Sequence, residues 1–265
     1  MTHTGHTAKL PYTYTMSLPS PTYDIAFGDD PRQRLDVFPA AEPNRPVVVF
    51  WHGGGWTSGN KRKYRFIGRA IQRMGYTAVM AGYRLHPQVQ FPAFAEDGAL
   101  ALRWVHEHIA EHHGDPTQLF LMGHSAGAHT AAHLAYNRHW AELAGVPSAN
   151  LRGFIGLAGP YDFYPQPKYQ PAFDLSDPTE PWRPINMVTH PTVPALLLNG
   201  RLDMVVGAGN ARRMAARIRE HGGEAAVIIY PYLEHISLML ALGRPLGWLP
   251  VQRDIGRFIA AQVNP

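Results

Sequence analysis

The sequence predicts an α/β protein: one mostly parallel sheet of eight strands with helices on both faces. Three observations predict it. Pro46 to Trp51 and Leu119 to Met122 are continuous apolar runs, the pattern of strands covered on both faces, and Thr77 to Tyr83 and Leu151 to Ala158 read as further buried strands. Between such runs lie longer segments of helical character. Strands alternating with helices imply parallel βαβ units and right-handed crossovers. The alternation continues without a linker, so the 265 residues are read as a single domain, 1–265, long enough to bury a full core.

In order, residues 1–20 are polar and proline-punctuated, an arm over the body. Tyr23 to Phe27 and Arg34 to Phe38 alternate like strands around the turn signal Gly28-Asp29-Asp30-Pro31, and predict an antiparallel entry hairpin. After Pro46 to Trp51, Lys63 to Met74 reads as a helix closed by Gly75, then Thr77 to Tyr83 as a strand. Phe94 to His113 is an amphipathic helix stopped by Gly114-Asp115-Pro116. Leu119 to Met122 leads into a helix from Ala128 to Tyr136. Leu151 to Ala158, Ala195 to Leu198 and Ala225 to Tyr230 complete the strands; Ala208 to His221 and Val251 to Val263 supply the remaining helices. Gly159 to Pro194 breaks the alternation with many prolines and with Tyr161, Phe163, Tyr164, Tyr169, Phe173 and Trp182. A loop this long that leaves the carboxyl edge of a parallel sheet is expected to be a lid or pocket wall.

Composition narrows the function classes. The chain has no cysteine, hence no disulfide framework, thiolate metal site or cysteine nucleophile. The net charge of +4 is modest, and the one dense basic run, Lys61-Arg62-Lys63-Tyr64-Arg65, reads as a solvated helix start rather than a nucleic-acid patch. No run approaches the length of a membrane span, and residues 1–18 lack the apolar centre of a secretory signal, so a cytoplasmic protein is expected. His106, His108, His112 and His113 share a helix, with His108 and His112 on one face, but no acidic or third ligand is evident, and a solvated face is expected rather than a metal site.

The chemistry centres on Gly123-His124-Ser125-Ala126-Gly127, set between a strand and a helix. A serine on so tight a turn has strained backbone angles and needs small neighbours, and its hydroxyl is pushed into the open. The helix that follows aims its first N–H groups at the same spot, which favours negative charge there. A serine hydroxyl is a poor nucleophile at neutral pH and needs a base. His235 lies just beyond the last strand, at the functional edge, whereas His221 and His190 precede strands and fall at the opposite edge. Asp203, shortly after Ala195 to Leu198, is placed to orient an imidazole; Asp174 and Asp177, in the long loop, compete for that role. His52-Gly53-Gly54-Gly55-Trp56 follows another strand end, where glycines leave backbone N–H groups free to meet an oxyanion. It lacks the following Lys-Ser/Thr of a phosphate loop. His124 and His129 are read as packing or pocket residues.

With these motifs, Tyr83-Arg84-Leu85, Gly200-Arg201-Leu202-Asp203 and Glu234-His235, nearly the whole chain resembles the α/β-hydrolase superfamily. The similar branch holds hormone-sensitive-lipase-like esterases, feruloyl-esterase-like carboxylesterases and kynurenine formamidases. The resemblance implies Ser125 as nucleophile, His235 as general base and acid, and Asp203 as its orienter. It implies oxyanion donors at Gly54, Gly55 and Ala126, with no cofactor and no metal. Few residues precede the first strand, so no large cap is expected, which tilts the reading toward the capless members. Gly54-Gly55-Trp56 departs from the Gly-Tyr-Trp usual in the formamidases, whereas Gly127-Ala128-His129 is like theirs. The expected activity is hydrolysis of short-chain or aryl carboxylic esters, with arylformamidase and a non-catalytic hydrolase-like binding protein as the alternatives. Trp56, Tyr161 and Trp182 are the expected pocket walls. The expected partners are a small-molecule ester and a second copy in a homodimer, with neither nucleic acid nor membrane.

Overall fold

The computed structural model describes residues 17–190, 193–244 and 250–263; most of the expected N-terminal arm, 1–16, lies outside them. Eight strands form one sheet: β1 (Thr22–Ala26), β2 (Arg34–Phe38), β3 (Arg45–Trp51), β4 (Thr77–Ala81), β5 (Gly114–His124), β6 (Leu151–Leu157), β7 (Ala195–Gly200) and β8 (Ala225–Tyr230). Their order is β1-β2-β4-β3-β5-β6-β7-β8. β2 runs antiparallel to both neighbours, and every pairing from β4 to β8 is parallel. This is the α/β-hydrolase fold, without a large cap insertion among the described residues.

Strand residues alternate between two cores. Val47, Val49, Leu119, Leu121 and Val79 face one cluster; Val48, Phe50, Phe120, Met122, Ala78 and Met80 face the other. Both sets are apolar because both faces are covered, which is why these strands read as unbroken hydrophobic runs. On the first face lie α2 (Ala93–His108), α3 (Ala126–Tyr136) and α5 (Gly209–Glu220), through Phe94, Leu102, Ala128, Met214 and Ile218. On the second lie α1 (Arg65–Arg73), α6 (Ser237–Gly243) and α7 (Val251–Val263), through Ile67, Ile71, Leu238, Leu242, Ile255 and Ile259.

Several boundaries differ from expectation. α2 ends at His108; Ile109–His112 tighten into a 3-10 turn and His113 takes a left-handed φ of 64° to redirect the chain into β5. β5 begins early, at Gly114, because Arg45 of β3 pairs there across a shift in register. The short helices α4 (Arg138–Ala144) and α6 were not foreseen. The basic run is not all solvated. Lys61 is buried, with its ammonium 2.6 Å from Asp24 and in contact with the fully buried Asp36. A buried carboxylate needs a paired cation, and Lys61 and Arg65 supply it.

Candidate active site

β3 and β5 lie side by side at the sheet centre, so the loop after β3 and the turn after β5 emerge together at its carboxyl edge. Ser125 sits at the end of β5 with φ 54° and ψ −122°. A non-glycine residue there stores roughly 1–3 kcal/mol of strain and persists only where its surroundings hold it. Those surroundings are explicit: the Ser125 N–H donates to Leu157 O at 2.9 Å, and Ser125 O accepts from Ala128 N at 2.9 Å and His129 N at 3.1 Å. Gly127 is required by close approach, since a Cβ there would lie 2.0 Å from Trp51 O. Ala126 is the first residue of α3, where no intrahelical acceptor exists for its N–H.

The loop after β3 turns sharply at Gly54 (φ 137°) and Gly55 (φ 60°). Gly54 O accepts from Ser58 N at 3.0 Å, which closes the turn. The base of this loop is propped from beneath. The His52 ring stacks on Tyr83 at 4.5 Å and its Nδ1–H donates to Gly53 O at 2.8 Å. Burial pushes the His52 pKa down to about 4, so the ring is neutral. Tyr83 donates its O–H to His52 O at 2.8 Å. The next residue, Arg84, holds the fully buried Asp97 through its Nε at 2.9 Å and its backbone N–H at 2.7 Å. Tyr83 thus supports the base of the glycine loop without lining the cleft, and Arg84 ties the chain beside it to α2.

His235, on the loop after β8, and Asp203, on the loop after β7, meet: Nδ1 of His235 lies 2.8 Å from Oδ2 of Asp203. The other carboxylate oxygen, Oδ1, accepts from Val205 N at 2.9 Å and Val206 N at 2.8 Å. Burial, the largest single influence, opposes ionisation of Asp203. The His235 hydrogen bond, the Val206 and Val205 N–H groups and the charge of His235 together outweigh it and hold the carboxyl below its ordinary range. The competing acids do other work: Asp174 accepts from Ser176 and Asp177 from Thr179 in exposed turns. His221 Nδ1 pairs with Arg217 O at the end of α5, and His190 with Thr189.

A cleft of about 370 Å³ contains Gly54, Gly55, Trp56, Ser125 and His235. The first half of the long loop walls it through Pro160, Phe163, Tyr164, Pro165, Gln166 and Tyr169, and the opposite side is aliphatic, through Val205, Val206 and Ile236. Trp56 stacks on Phe163 at 5.7 Å with the planes 11° apart. Two expected wall residues are not in the lining. Tyr161 is fully buried against Phe154, and Trp182 lies beneath the cleft among Phe163, Phe173 and Tyr164. The Trp182 carbonyl accepts from His129 Nε2–H at 2.7 Å, so the second half of the loop is anchored to α3 and serves as foundation. We therefore expect Trp182→Ala to lower unfolding free energy by roughly 3–5 kcal/mol through the cavity it leaves. Urea denaturation checks this, and an unchanged midpoint would contradict the burial.

Tyr64, Val205, Val206 and Ile236 border the cleft without having been singled out as its walls, and His124, read as a packing or pocket residue, borders it too. Tyr64 lies in the run read as a helix start, and no local pattern marks it. Among the described residues no group of three or more His, Asp or Glu side chains is placed to hold a metal ion. No described helix is long and apolar enough to cross a membrane.

Known proteins are similar to this chain in sequence and in fold. A probable isoprenylcysteine alpha-carbonyl methylesterase, ICMEL1, from Arabidopsis thaliana is 27% identical over 242 residues, covering 82% of this chain and 51% of its own. Esterase LipQ from Mycobacterium tuberculosis is 30% identical over 240 residues, covering 80% of this chain and 55% of its own. The chain thus spans about half the length of the curated relatives it matches. Among solved structures, a truncated carbohydrate esterase from gut microbiota superposes with a TM-score of 0.77 at 17% identity, covering 95% of this chain and 99% of its own. Esterase 2 of Thermogutta terrifontis superposes with a TM-score of 0.74 at 20% identity, covering 94% and 97%. These two similarities speak to fold. The BD-FAE family profile matches residues 35–218, from β2 into α5, a stretch that includes the glycine loop, Ser125 and Asp203. With most of the chain inside that match, the protein belongs to the BD-FAE family.

Proposed function

We propose that the protein is a metal-independent serine carboxylesterase acting on short-chain or aryl carboxylic esters through an acyl-enzyme. The observation that carries this reading is a serine held at φ 54° in the same cleft as a histidine whose Nδ1 is 2.8 Å from a buried aspartate. Relatives named esterase and methylesterase over about four-fifths of the chain support it. In this reading Ser125 Oγ attacks the ester carbonyl while His235 Nε2 takes its proton, and Asp203 stabilises the imidazolium. The N–H groups of Gly54, Gly55 and Ala126 receive the oxyanion, each worth roughly 3–4 kcal/mol of barrier. His235 then protonates the departing alcohol, and water repeats the sequence to release the acid.

The lining favours a neutral ester over an amino-acid formamide. Among the described residues, no Lys, Arg, Asp or Glu lines the cleft. N-Formylkynurenine carries an ammonium and a carboxylate, and desolvating either without a counter-charge is costly. A neutral ester has no such cost. Tyr169 caps the glycine loop closely, a Cβ on Gly55 falling 2.4 Å from its ring, which shortens the space for an acyl chain on that side.

We therefore expect the highest kcat/KM on acetyl to butyryl p-nitrophenyl esters. Activity should fall steeply beyond about eight carbons, because further methylenes gain no enclosed surface. N-Formylkynurenine, run in parallel, should be the poorer substrate. Faster hydrolysis of palmitate than butyrate, or a preference for the formamide, would overturn this assignment.

A further inference from the structure

We propose that His124 is a positioning residue: it fixes the backbone of His235 relative to Ser125, and Tyr64 sets the tautomer in which it does so. The proposal rests on the reading of Ser125 and His235 as nucleophile and base.

His124 is the last residue of β5 and directly precedes Ser125. It is 1% exposed, and both of its ring nitrogens have partners. Nε2 lies 3.1 Å from the carbonyl oxygen of His235, and Nδ1 lies 3.3 Å from the hydroxyl of Tyr64. Its ring centroid is 4.7 Å from that of His235. Burial first, and the neighbouring His235 second, push the His124 pKa down to about 3, so the ring is neutral and has one N–H. A carbonyl oxygen only accepts, so Nε2 carries the hydrogen. The Nδ1 lone pair then receives the Tyr64 O–H, whose proton burial also retains. The result is a directed chain: Tyr64 O–H to His124 Nδ1, and His124 Nε2–H to the His235 carbonyl.

The loop carrying His235 needs such a tie. No backbone N–H among the described residues bonds the His235 carbonyl. The neighbouring anchors hold other residues: Leu202 N donates to Leu233 O at 3.1 Å, and Glu234 N to Ser237 Oγ at 2.6 Å. Asp203 orients the ring through Nδ1 but leaves the height of the loop above β5 unset. His124 sets it, and because His124 and Ser125 are covalent neighbours, one strand end registers both base and nucleophile. Neutrality matters as well. Once His235 has taken the serine proton, a second cation at this separation would oppose it; the neutral His124 ring does not.

The test uses His124→Phe, which keeps a ring but no donor; His124→Gln, whose amide can donate to the same carbonyl; and Tyr64→Phe. We expect His124→Phe to lower kcat by roughly 30- to 100-fold with KM within about 2-fold, the cost of an ångström-scale misplacement. His124→Gln should recover to within about 5-fold of wild type, and Tyr64→Phe should lose a smaller factor of about 3 to 10. In proton NMR, the downfield resonance of the His235 Nδ1–H to Asp203 should shift or broaden in His124→Phe and return in His124→Gln.

Space-filling alone predicts the reverse order, with phenylalanine better tolerated than glutamine and the resonance unmoved. That result overturns the proposal, as does wild-type kcat in Tyr64→Phe. Fluorophosphonate labelling of Ser125 in the wild type tests the catalytic reading separately. Labelling with unchanged His124→Phe kinetics removes only the positioning role.

Discussion

Ser125→Ala lowers kcat on p-nitrophenyl butyrate by roughly 10⁴- to 10⁶-fold and abolishes covalent labelling by a fluorophosphonate probe. The expectation follows from the turn itself. Ser125 is held at φ 54° by its own N–H and carbonyl, both bonded to backbone, so the hydroxyl takes no part in stabilising the turn and is left free for chemistry. Alanine inherits the same backbone strain and loses no hydrogen bond that the serine hydroxyl makes among the described residues. Thermal stability should accordingly stay close to wild type, which separates loss of the nucleophile from loss of the fold. On the proposed reading, any residual rate comes from the oxyanion donors and binding alone. A fully active alanine variant, or probe labelling at another residue, would show that a different group performs the chemistry.

Asp203→Asn has the second-largest expected effect, a drop in kcat of roughly 10⁴-fold with the site geometry intact. The carboxylate oxygens of Asp203 have unlike partners. Oδ1 accepts two backbone N–H groups, from Val205 and Val206, while Oδ2 faces His235 Nδ1. In the asparagine variant the amide oxygen must keep the two backbone donors, which turns the NH₂ toward the imidazole. His235 then accepts at Nδ1 and carries its hydrogen on Nε2, so it has no lone pair for the serine proton.

The same substitution has a pH signature. Asp203 ionises below the ordinary carboxylate range in the folded protein, so its charge contributes stability above the unfolded value and loses it as pH falls through the folded one. The stability deficit of Asp203→Asn should therefore be present at neutral pH and shrink on acidification below about pH 4. Chemical denaturation at neutral and acid pH reads it. A deficit that grows in acid would mean the carboxyl is not stabilised as the anion.

How much of this was legible in the chain depends on the range of the interaction. The doubly covered strands announced themselves, because a strand packed on both faces is built mostly of apolar residues, as the central stretches of β3 to β7 are. Ser125 and the glycine loop were also legible, since backbone at positive φ, and an approach so close that a Cβ on Gly127 would fall 2.0 Å from Trp51 O, restrict residue choice locally. The pairing of His235 with Asp203 followed from strand order, because loops after adjacent parallel strands meet at one edge.

What the tertiary structure alone decided is which side chains of these loops face the cleft and which support it. Trp182 and Tyr161 had the composition of a pocket wall, but the long loop folds back and buries them, leaving the cleft to Phe163, Tyr164 and Tyr169. Lys61 read as solvated because its carboxylate partners, Asp24 and Asp36, stand far away in the chain. His124 read only as a packing or pocket residue because its two partners, Tyr64 and the His235 carbonyl, are 60 and 111 residues distant. Local sequence specifies backbone conformation and burial, which are short-range demands. The partners of a buried polar atom are set by how separate loops stack at the sheet edge, and no spacing rule in the chain encodes that.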